Sequence, residues 1–190
     1  MGAATFSGDV TLTWGGGTNV DCTLGGTAGT HITRVPNFTA TGLRGATLAV
    51  TKTGTIGQRV TWNSGASPNR VFTLSNDGIN RKFTTASAVV LFNQTTVTSG
   101  DITVTGEART NRVMNGGSLR VTNNLTSVVC SYVPTNVTWA GTTCNCPTSG
   151  SWAGSCSDGK TTTLNITGCG TASYTEGTTT QTVTFDRCGT

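Results

Sequence analysis

Histidine occurs once in this chain of 190 residues, at His31; aromatic residues make up 6% of it and charged residues only 11%. A globular domain usually carries about a quarter of charged residues. General acid–base catalysis needs positioned titratable groups, and this sequence offers few. It contains no H-E-x-x-H and no G-x-S-x-G, so zinc-protease and serine-hydrolase chemistry has no motif to stand on. The eight carboxylates could include a glycosidase pair, but nothing marks two of them as facing each other. No enzymatic activity and no cofactor is expected. No apolar run is long enough for a membrane helix, so no membrane span is expected. The opening MGAATFSG lacks the basic and apolar segments of a secretory signal, which reads as a mature or trimmed form.

What is abundant is threonine, with 43 residues, and glycine, with 26. Branched Thr suits solvated strand faces, and this composition excludes long helices. Seven cysteines against one histidine argue for disulfides over metal ligation. Few Lys or Glu and many Thr fit an oxidising exterior, so a secreted or cell-surface location is expected. The net charge of +4 is too small to indicate a nucleic-acid binder. Ten of the twelve basic residues nevertheless fall within 34–120, against Asp77, Asp101 and Glu107. That excess allows a polyanion-binding surface. Nucleic acid is not expected, because no RNP-type motif occurs and Phe38, Trp62, Phe72 and Phe83 alternate as core residues do.

Phe6, Gly8, Val10, Leu12 and Trp14 alternate with Ser7, Asp9, Thr11 and Thr13, the period of a strand with one apolar face. Further strands are expected at 46–50, 60–62, 71–74, 79–83, 88–92 and 102–104. Asp77-Gly78 predicts a tight hairpin joining 71–74 to 79–83. His31, in Thr-Gly-Thr-His, reads as a loop residue. Near the C-terminus Ser-Cys-Ser-Asp-Gly159 and Ser-Tyr-Thr-Glu-Gly177 open two copies of a short repeat, each followed by threonines and by Cys-Gly-Thr. Two such copies predict a four-stranded antiparallel meander stapled at its strand ends.

The expected fold is therefore all-β, an antiparallel sandwich of Greek-key or meander type with a disulfide-stapled C-terminal sheet. Three regions are expected: an N-terminal extension or donor-like strand at 1–22, a Cys-free basic β region at 23–120, and a Cys-rich meander at 121–190. Cys130, Cys144, Cys146, Cys156, Cys169 and Cys188 can form three bridges in about 15 ways, with Cys22 left over or exchanged for one of them. Cys144 and Cys146 are too close in sequence to pair with each other and should staple two different elements. A zinc site from Cys144, Cys146, Cys156 and Cys169 lacks the usual two-to-four-residue spacers, and no metal is expected.

The segment from Ala3 to Gly15, followed by Cys22, resembles the N-terminal extension of pilins assembled by donor-strand exchange. The resemblance implies that Phe6, Gly8, Val10, Leu12 and Trp14 enter a neighbouring subunit. On that basis the chain is expected to be a structural subunit or adhesive component of an extracellular fibre, built by β-strand addition and associating with identical subunits. The alternative is a monomeric secreted module for a glycan or envelope polymer. Its ligand surface would use Trp139 and Trp152, which flank the Cys144–Cys146 loop, with Arg109, Arg112 and Arg120.

Overall fold

The computed structural model describes residues 4–16, 27–141, 143–185 and 188. Among these the chain is all-β: fifteen strands and one short 3-10 turn, Arg109–Asn111, all strand pairings antiparallel. The first strand, β1 (Thr5–Gly15), lies in unbroken register along β2 (His31–Thr41). Apart from β1, β2 has two partners. Its first residues, 31–34, pair with β4 (Gln58–Ser64), and residues 37–41 pair with β3 (Thr47–Lys52). From β3 the sheet continues through β6 (Ile79–Thr84), β7 (Val90–Ser99) and β10 (Ser118–Asn123). From β4 it continues through β5 (Val71–Asn76), β8 (Ile102–Thr105), β9 (Val113–Asn115) and β11 (Val129–Thr138). Pairing of β10 with β11 closes the ten strands from β2 to β11 into a ring of two facing walls.

Pro36, fully buried within β2, explains why no strand was expected there, since proline weakens a ladder. It falls between the residues paired with β4 and those paired with β3, so neither ladder needs its missing N–H. His31 is also a strand residue rather than a loop residue. It opens β2 opposite Gly15, where a Cβ would crowd its imidazole, and its Nδ1 lies 3.1 Å from the Gly29 carbonyl.

The strands around Asp77-Gly78 form as expected, but they are not a hairpin. β5 pairs with β4 and β8, whereas β6 pairs with β3 and β7, so the chain changes walls at this corner. The reason lies in where the Asp77 carboxylate is directed. It accepts the N–H groups of Thr55 (2.7 Å), Ile56 (2.6 Å) and Gly57 (2.6 Å), and so clamps the loop between β3 and β4 instead of shaping its own turn. Partial burial pushes the Asp77 pKa up, but these bonds together with the Thr55 hydroxyl bring it below the ordinary carboxylate value. Asn76 ties the walls together: its side-chain amide donates to Thr96, and its backbone N–H to the Thr98 hydroxyl at 2.9 Å. The apolar core between the walls includes Val50, Ile79, Ile102, Val104 and Val137, with Ile79 at 0% exposure.

Beyond β11 the sheet runs on as β12 (Ser149–Cys156), β13 (Thr161–Gly168), β14 (Thr171–Glu176) and β15 (Thr179–Thr184), each paired with the strand before it. This is the four-stranded meander that the repeat predicts. Its disulfides are Cys130–Cys156, Cys144–Cys169 and Cys146–Cys188, so Cys144 and Cys146 do staple different elements. Cys22 lies outside the described residues. The composition boundary at 120/121 falls inside β10, and β11 belongs to both the ring and the meander.

Candidate functional site: two free sheet edges and an apolar interior

Strand pairing leaves two edges of the sheet with a single neighbour among the described residues. One is β1, which touches only β2; the other is β15, which touches only β14. Alternation along β1 turns Phe6, Gly8, Val10, Leu12 and Trp14 to one side. On that side Phe6 is 76% exposed, Val10 44% and Leu12 49%. Trp14 is half-buried against the start of β2. Phe6 leans on Phe38 with ring centroids 6.4 Å apart. Gly8 takes a φ of 96°, and a Cβ there would run into the Asn37 carbonyl, so glycine is what lets β1 seat on β2. All five expected interface residues thus share one strand face, and most of it is uncovered.

Two cavities border the walls of the ring. One, of about 400 Å³, is lined by Leu12 of β1 together with Ile32, Val60, Leu74, Ile102 and Leu119, and by Arg34 and Arg59. A second, of about 330 Å³, shares Val60 and Leu74 and extends past Phe72, Val104 and Met114 to Glu107, Arg112 and Trp139. At that end the Arg112 guanidinium lies 5.9 Å over the Trp139 ring and donates to the Glu107 carbonyl at 2.7 Å. Glu107 is itself engaged, by Arg70 at 2.9 Å and by the Ser67 hydroxyl at 3.0 Å, and Arg70 covers Trp62 at 4.8 Å. The Glu107 carboxylate is thus held in place by an ion pair and a hydroxyl.

The expected ligand surface is divided. Arg112 and Trp139 come together, and Arg109 on the adjoining turn donates to the Asn145 side chain. Arg120 points outward from β10, between Val97 and Ser131, on the face opposite the cavity-lining Leu119. Trp152 sits on β12 between Pro134 and Leu164, in a row of paired residues that continues to Tyr174. That row became visible only once the register was known. At its far end Glu176 bonds to Lys160 at 2.8 Å and accepts from the Tyr174 hydroxyl at 3.2 Å.

One match to a functional motif lies in this region. Gly154-Ser-Cys-Ser-Asp-Gly159-Lys160-Thr161 spells the phosphate-loop pattern G-x-x-x-x-G-K-[ST]. A phosphate loop requires a strand, a loop and then a helix whose N-terminus faces the phosphate. Here the segment is the end of β12, a tight turn and the start of β13, with Cys156 bridged to Cys130. The pattern therefore makes a hairpin and no phosphate cradle. Among the described residues no cluster of His, Cys, Asp or Glu could hold a metal ion, and no helix is long and apolar enough to cross a membrane. The site thus defines a class: an all-β, disulfide-stapled ring with a meander and two open edges. No family model, curated protein or solved structure matches the chain.

Proposed function

We propose that this chain is a structural or adhesive subunit of an extracellular fibre, joined to identical subunits by β-strand addition through β1. One observation carries the reading: an eleven-residue edge strand keeps its apolar face exposed and lacks the usual protection. It contains no proline and no lysine, its register with β2 is unbroken, and Asp9 is its single charge. Monomeric proteins blunt such edges, because an unpaired row of N–H and C=O groups recruits other chains. The disulfides support a location outside the reducing cytosol. The function needs no catalytic residue and no cofactor. Deleting residues 3–14 tests it: the shortened chain should fold, with the three disulfides formed, and should no longer assemble. Loss of the fold on this deletion would show that β1 serves its own domain alone.

The Arg112–Trp139 pair beside an apolar cavity favours a second reading, a monomeric module for an anionic glycan or envelope polymer. Its test is Trp139→Ala, which should abolish retention of the monomer on such a polymer while leaving the fold and its three disulfides intact.

A further inference from the structure

We infer that the strand joined to β1 is β15 of the next copy, edge to edge, with β1 remaining in its own sheet. The inference rests on the strand-addition reading and names its acceptor.

Backbone accounting comes first. Every strand from β2 to β14 has a neighbour on each side, and the ten strands of the ring close on themselves. Among the described residues, a strand pushed between the two walls would find no strand lacking a neighbour on either side, and its own N–H and C=O groups would be buried without partners. The interior cavities can take side chains or small molecules, but they cannot extend the sheet. Among the described residues, β1 and β15 are the strands with a single neighbour, and each offers an unpaired row along its whole length.

The two edges also suit each other. β15 reads Thr-Thr-Gln-Thr-Val-Thr, with no charge and no proline, and its six residues pair with β14 without a register shift. It is an edge as undefended as β1. Both strands carry hydroxyls on one face: Ser7, Thr11 and Thr13 on β1, and Thr180, Thr182 and Thr184 on β15. On the other face Val183, opposite the buried Ala172, would stand beside the exposed apolar row of β1. No charge on β15 opposes Asp9. Because the two joined surfaces differ, the contact is head-to-tail, and a head-to-tail contact that does not close on itself gives a filament.

The test replaces Gln181 with p-benzoylphenylalanine and mixes isotopically light and heavy chains before irradiation. Cross-linked light–heavy peptides should pair residue 181 with residues 5–15. Cross-links to the cavity residues Val60 or Leu74, or only within one chain, would overturn the inference. Two further variants, Thr182→Pro and Val183→Pro, probe the edge itself, since one of two adjacent residues has its N–H directed away from β14. That variant should lower the sedimentable polymer by about tenfold, the scale of one or two lost hydrogen bonds. If both proline variants assemble like the parent while deletion of residues 3–14 still prevents assembly, the acceptor is not β15 and the strand-addition reading survives. If the parent forms no polymer, both fail.

Discussion

Ile79, wholly buried at the start of β6, and Cys188, bridged to Cys146 beyond β15, mark two ways of holding a sheet together. The ring joins strands distant in sequence and relies on side chains meeting between two walls, with Asn76 and Asp77 fastening the corner. The meander joins each strand to the one before it and relies on three disulfides, while much of its outer face is hydroxyl. A small sheet with one solvated face buries too little to stand by packing alone, so covalent closure takes the place of core. Stability in the ring is accordingly non-local, and stability in the meander is local and redox-dependent.

The largest effect expected from this contrast is reduction of the disulfides. Each closes a loop of 25 to 42 residues, for which chain entropy gives about 3 to 4 kcal/mol. Hydrogen exchange of the reduced protein should show residues 149–184 losing protection while β3 to β6 keep theirs. Uniform loss throughout would erase the distinction. Next is Ile79→Ala, which removes a fully buried side chain from the ring and should cost about 2 to 5 kcal/mol in denaturant unfolding. In the oxidised protein the meander should keep its protection at denaturant concentrations that open the ring of this variant.

A smaller effect belongs to the corner. Asp77→Asn weakens acceptance of three backbone N–H groups and should cost about 1 to 3 kcal/mol. Its pH dependence has a definite sign. The Asp77 pKa in the fold lies below its ordinary value of 3.8, so the carboxylate stabilises the fold above that value, and the contribution disappears as pH falls through the folded pKa. The parent should lose stability in this acid range relative to the variant, and parallel acid-unfolding curves would contradict the clamp. Smallest is the Lys160–Glu176 pair. Its hydrogen bond lowers the pKa of Glu176 and raises that of Lys160, yet both groups are exposed, so Glu176→Gln should leave the melting temperature within experimental scatter.

The same contrast explains what the sequence disclosed. Local order is readable: the alternation from Phe6 to Trp14 became β1, and the repeat around Gly159 and Gly177 became β12 to β15. Non-local pairing is not. Asp77-Gly78 has the residues of a tight turn, but nothing nearby shows that the carboxylate has a better set of donors at 55–57. Pro36 hid β2 because its tolerance depends on two partners ending on either side of it. The apolar face of the candidate site was visible in the alternation, whereas its exposure, and the lack of a second neighbour for β15 among the described residues, follow only from the strand pairing.

The most direct test of strand addition is negative-stain microscopy of the native protein, run beside non-reducing and reducing gels. The account predicts filaments, absent from the chain lacking residues 3–14. A homogeneous monomer by microscopy and on both gels would contradict it.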